Sequence, residues 1–125
     1  MRTAVLAVLF AVTALSATVP AFAGDDRLDH YCARLGRDDH FNSNGQRLDN
    51  PAAIIRQDRA NYHAFGVRDD EDEDDVFFRS KANRALLEAM LRNGRASKAV
   101  RAEIVNSTPV ICVDIYEDFV NVELQ

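Results

Sequence analysis

The sequence is short of most features that would assign it a chemistry. It has no tryptophan and only two cysteines in 125 residues. No G-x-S-x-G elbow, P-loop or H-E-x-x-H pair occurs, so the common signatures of hydrolases, nucleotide binders and zinc proteases are missing. Basic residues are scattered singly, with lysine scarce beside arginine. Without a basic stripe to follow phosphates, nucleic-acid binding is disfavoured. There is no internal repeat and no linker long enough to divide the chain.

The N-terminus reads as a targeting segment. Arg2 is a positive start, Ala4–Leu15 an apolar run, Pro20 a breaker, and Ala21-Phe22-Ala23 the small residues a signal peptidase accepts. The apolar run is short for a membrane span, so cleavage after Ala23 is expected and no membrane contact thereafter. The mature chain of about 100 residues suits one domain, 24–125, with one modest core. All 20 acidic residues lie in it. The expected location is the periplasm or the extracellular space. An even cysteine count in such an oxidising compartment points to a Cys32–Cys112 disulfide, and the lack of C-x-x-C spacing argues against zinc.

Periodicity gives an α+β reading: three helices followed by a three-stranded antiparallel β-meander, with a small hairpin at 41–48. Leu28, Tyr31, Cys32 and Leu35 follow at helical spacing after Asp25-Asp26, with Gly36 to close a first helix. Asn44-Gly45 suits a type I′ turn with Phe41 and Leu48 facing each other. Asn50 caps a second helix, Pro51 occupies its first turn and Gly66 ends it. Its apolar arc holds Ile54, Ile55, Tyr62 and Phe65, with Asp58 in the middle and Arg59 and His63 on the polar side. Ser80 caps a third helix that runs to Asn93, before Gly94. Its core stripe is Leu86, Leu87, Met90 and Leu91, and Asn83 falls inside that stripe. Then Val100–Ile104, Ile111–Ile115 and Val120–Leu124 alternate with period 2, as half-buried strands do. Val113 faces the core in this reading and Cys112 points away from it.

Asp58, Arg59 and His63 could form an acid/base group, but Asp58 and His63 point to different sides of the helix and cannot pair directly. Asp58 and Asn83 therefore read as structural buried polar groups held by hydrogen bonds. His30, His40 and His63 fall on three different elements with no ligand spacing. Asn42-x-Asn44-Gly45 fails as a calcium loop, because His40 and Pro51 stand where its first and last ligands belong. The one unusual local feature is the run Asp69, Asp70, Glu71, Asp72, Glu73, Asp74 and Asp75. It reads either as a solvated loop or as a dock for a basic protein or peptide, and no cofactor is expected beyond the Ca²⁺ that clustered carboxylates can hold. The leading expectation is an exported, non-catalytic binding protein with an acidic recognition loop. The alternatives are a small hydrolase using His63 with Arg59 and a carboxylate, or a calcium binder.

Overall fold

The computed structural model describes residues 26–125. The expected export segment and its cleavage site lie outside them. The described chain is α+β, with one three-stranded antiparallel sheet in the order β1-β2-β3. The strands are β1 (Asp29–Arg34), β2 (Val110–Ile115) and β3 (Val120–Leu124). Between β1 and β2 lie α1 (Pro51–Ala60), α2 (Lys81–Ala85), α3 (Leu87–Asn93) and α4 (Lys98–Asn106). No helix among the described residues is long and apolar enough to cross a membrane.

Two expected elements change identity. The first helix is strand β1. Leu28, Tyr31, Cys32 and Leu35 match a helical spacing, but Tyr31, Ala33 and Leu35 are the buried set and Leu28 is exposed, which is period 2. The first strand of the expected meander is helix α4. The Val100–Ile104 alternation also places those two residues at i, i+4, and the Ser97 side chain accepts the Val100 N–H as an N-cap. The order is thus strand, helices, two strands, rather than helices then meander. The sheet still has three strands because β1 replaces the lost one, pairing Asp29–Arg34 against Val110–Ile115.

The helix signals near α1 act as their chemistry dictates. Asn50 accepts from the Ala52 and Ala53 N–H groups, and Pro51 opens the helix. The last turn, Asn61–Phe65, widens to a π-turn before Gly66 takes the left-handed conformation at φ 69°. Ser80 caps α2 as expected. The expected third helix is interrupted at Leu86, which turns outward and is exposed, so Leu87, Met90 and Leu91 carry the core stripe without it. Phe65 and Leu124, also expected inside, are exposed. The hairpin shrinks to a tight turn in which Phe41 bridges Arg47 rather than facing Leu48.

One face of the sheet meets the helices. Tyr31, Ala33, Ile111, Val113, Ile115, Val120 and Val122 are buried there against Ile54, Ile55, Leu87, Leu91 and Ile104. Phe78 packs edge-on against Tyr31 with ring centres 6.2 Å apart. Past α3 the chain runs beside β3, where the Val122 N–H donates to the Arg95 carbonyl. Gly94 permits that approach, since a Cβ there would lie 1.8 Å from the Val120 carbonyl oxygen. The other face of the sheet carries His30, Cys32 and Arg34 from β1, Val110, Cys112 and Asp114 from β2, and Asn121 and Glu123 from β3. None of these eight is fully buried.

Candidate functional site

Antiparallel register puts side chains of facing residues on the same side of a sheet. In β1 and β2 it pairs Cys32 with Cys112 and, two residues on, His30 with Asp114. Cys32 and Cys112 form a disulfide with their Cα atoms 4.0 Å apart. The N–H and C=O of Cys32 point away from β2, to Glu73, so this is the close, non-hydrogen-bonded kind of pair that brings side chains together. Beside it, His30 Nδ1 lies 2.7 Å from Asp114 Oδ1, and Nε2 lies 3.7 Å from Cys32 Sγ. Arg27 donates to the same Asp114 oxygen at 2.8 Å. Partial burial pulls the Asp114 carboxyl upward, but the His30 and Arg27 hydrogen bonds outweigh it and hold the group below its ordinary range. Sequence reasoning placed His30 on a helix and missed this group. The alternation Asp29–Arg34 was the signal that could have found it.

The acidic run lies along the outer edge of β1 and is tied to it. Glu73 accepts the Cys32 N–H at 2.7 Å and returns its own N–H to the Cys32 carbonyl at 2.9 Å. Asp72 accepts the Arg34 N–H with one oxygen and the Asp69 N–H with the other. Glu71 pairs with Arg34, and Asp74 with Arg79, on the surface. Those two exposed carboxyls are held below their ordinary range first by the hydrogen bonds from their arginines. Asp69 is shifted the other way, by burial and then by its neighbours Asp72 and Glu71. Asp70 is exposed. The carboxylates thus spread over β1, the loop and α1 instead of bending round one point, which is a poor arrangement for Ca²⁺.

Beneath the run lies a buried ionic cluster. Arg59, expected on the polar side of its helix, is 0 % exposed. Its guanidinium stands 4.0 Å from the ring centre of Tyr31 and 4.6 Å from that of Tyr62, so two aromatic faces receive it. Nε donates to Asp58 at 2.7 Å, and Nη1 donates to Asp75 and to the Glu73 carbonyl, each at 3.0 Å. Asp75 also meets His63 Nε2 at 2.7 Å and accepts the Phe78 N–H at 2.6 Å. The buried side-chain atoms left without a protein partner among the described residues are Arg59 Nη2 and the Tyr31 hydroxyl. Burial pulls Arg59 down, but the electrostatic pull of Tyr31 and Asp58 and the hydrogen bonds that Arg59 donates to Asp58 and Asp75 hold it above its ordinary value. Burial pushes Asp58 up to about 8, against the pull of Arg59. Asp75 is the acid that joins Arg59 to His63, and Asp58 is the member whose charge varies with pH.

Other polar residues satisfy local backbone. Asn83 is half-buried and donates to the Phe77 carbonyl at 2.9 Å. Asp39 accepts from the Gly36 N–H and from Asn61, and burial pushes it up to about 6 despite both hydrogen bonds. His40 is buried with its two ring nitrogens 2.8 Å from the carbonyl oxygens of Gly36 and Ile104, tying the first loop to the end of α4. His30, His40 and His63 therefore sit at three separate places and form no common site. A surface cavity of about 580 Å³ lies between the Asn42 turn and α1, lined by Arg37, Phe41, Gln57, Asn61 and Phe65. No family model, curated protein or solved structure matches this chain.

Proposed function

We propose that this chain is an exported, non-catalytic binding protein that recognises a basic peptide or protein segment through the outer carboxylates of its acidic loop. The observation that carries this reading is the division of labour in the run. Its inner acids and its backbone are fastened to β1 and Arg59, so the loop is held in one conformation. Asp70, Glu71 and Asp74 stay exposed on that support. A charge display ordered in advance loses less conformational entropy on binding than a floppy one. The bridge of Cys32 to Cys112 is compatible with an oxidising compartment, in keeping with export.

The hydrolase alternative has weaker support. His63 does meet a carboxylate from another element, but its Nε2 is taken by Asp75 and its side chain is only 6 % exposed. That supports a brace between α1 and the loop. The binding reading is tested with a fluorescent arginine-rich peptide and the mature chain. Asp70→Asn, Glu71→Gln and Asp74→Asn together should weaken capture, and added salt should do the same to the wild type by screening. Unchanged capture in the triple variant would refute the reading.

A further inference from the structure

The sheet face that carries the disulfide has a second, unused capacity. His30 holds its Nδ1 against Asp114, so the proton belongs on Nδ1 and the lone pair on Nε2 is aimed at Cys32 Sγ. A histidine that gives one ring N–H to a carboxylate and presents the other nitrogen to sulfur has the supporting contact typical of a metal ligand. The Nε2 atom and the two Sγ atoms all lie within 4.8 Å of one another, and no other cluster among the described residues meets this standard.

We propose that reduction of the Cys32–Cys112 bridge turns this face into a binding site for a thiophilic cation of the zinc class, with Cys32, Cys112 and His30 as ligands and Asp114 orienting His30. The chemistry closes with a dithiol as reductant. It gives up two electrons and two protons, its own sulfurs join, and Cys32 and Cys112 become thiols. The cation then displaces both thiol protons to solvent and takes the Nε2 lone pair. Two thiolates on one tetrahedral ion sit about 3.8 Å apart, given metal–sulfur distances near 2.3 Å. Rotation of the cysteine side chains supplies that separation while β1 and β2 keep their ladder. The backbone of Cys32 is in any case held from the other side by Glu73. His30 is exposed, which leaves the fourth position open to water or to a ligand.

The test uses the mature chain reduced by a phosphine, which brings no competing thiol, without oxygen. Circular dichroism first checks that the fold persists, and the chain is then titrated with Co²⁺. Thiolate-to-cobalt absorption and intense tetrahedral bands should saturate at one equivalent and vanish on adding Zn²⁺. The oxidised chain should show neither. Cys32→Ser should abolish the thiolate pair, and His30→Ala should weaken binding and lower the tetrahedral bands. Asp114→Asn should weaken it by about 10–100-fold, as loss of a ligand's supporting partner does. A folded, reduced chain without these bands would overturn the site. So would a His30→Ala variant that binds as the wild type does, or a fold that collapses on reduction.

Discussion

Two interleaved sets of acids in one seven-residue run behave as different materials. Asp75 is 3 % exposed and joins Arg59, His63 and the Phe78 N–H, whereas Asp70 stands in solvent five residues earlier. Both are aspartates in the same acidic neighbourhood. What separates them is what the loop lies against. The inner residues face a strand edge and a buried guanidinium that need acceptors, and the outer ones face water. Self-repulsion, the natural expectation for such a run, is offset where each carboxylate has its own donor.

The largest effect should come from Asp75→Asn. The exchange breaks a buried ion pair and leaves Arg59 with Asp58 as its remaining carboxyl partner, at a cost of about 3–5 kcal/mol in chemical denaturation. A cost near that of a surface substitution would erase the contrast with Asp70. Next comes loss of the bridge. Cys32→Ser with Cys112→Ser frees a loop spanning 80 residues and releases the strand that anchors the inner acids. About 2–5 kcal/mol is expected, read as a shifted denaturation midpoint.

A pH series sharpens the comparison further. Asp58 is raised in the fold to about 8 from an ordinary 3.8, and Asp39 to about 6. The folded chain therefore holds more protons than the unfolded one between these limits. The stabilisation linked to these protons is complete below about pH 4 and is lost as pH rises toward 8. Stability should fall from pH 5 to pH 8, and Asp58→Asn should flatten the upper part of the fall. A wild type that gains stability over that interval would contradict the burial argument. Smaller still is Asp72→Asn, at about 1 kcal/mol for a weakened acceptor of the Arg34 and Asp69 N–H groups. Asp70→Asn should stay within about 0.5 kcal/mol of the wild type. A Tm lower for Asp70→Asn than for Asp72→Asn would reverse the assignment of inner and outer.

Local chemistry was legible where the signal is local. Asn50-Pro51 and Gly66 bracket the second helix, Ser80 caps the third, and the alternation of β2 and β3 identifies their buried face. The cysteine pairing followed from compartment and count. Two elements were misread because short apolar patterns fit either period. Val100 and Ile104 satisfy a strand's alternation and a helix's i, i+4 spacing alike, and only the Ser97 cap separates them. Tyr31 in β1 and Leu35 just past its end carry the same ambiguity. Arg59 was misplaced for a different reason. Its helix phase points it away from the apolar arc, but Tyr31 and Asp75 cover it from outside the helix, together with Tyr62 from the next turn. Partners supplied by other elements leave no trace in the periodicity of α1. The His30–Asp114 pairing is likewise a matter of register between strands 84 residues apart.

A sheet of three strands normally offers two open rims on which a further strand can add. Here one rim, along β1, is occupied by Glu73 and Asp72, and Arg95 runs beside the other at β3. Among the described residues, side chains and loop backbone line both rims of the sheet. That makes the acidic run a guard against self-association, since an incoming strand would have to expel charged acceptors from the positions it needs. Substitutions that remove those acceptors would weaken the guard while the β1 backbone beneath it stays extended. Strand-to-strand assembly of this protein should therefore begin at β1.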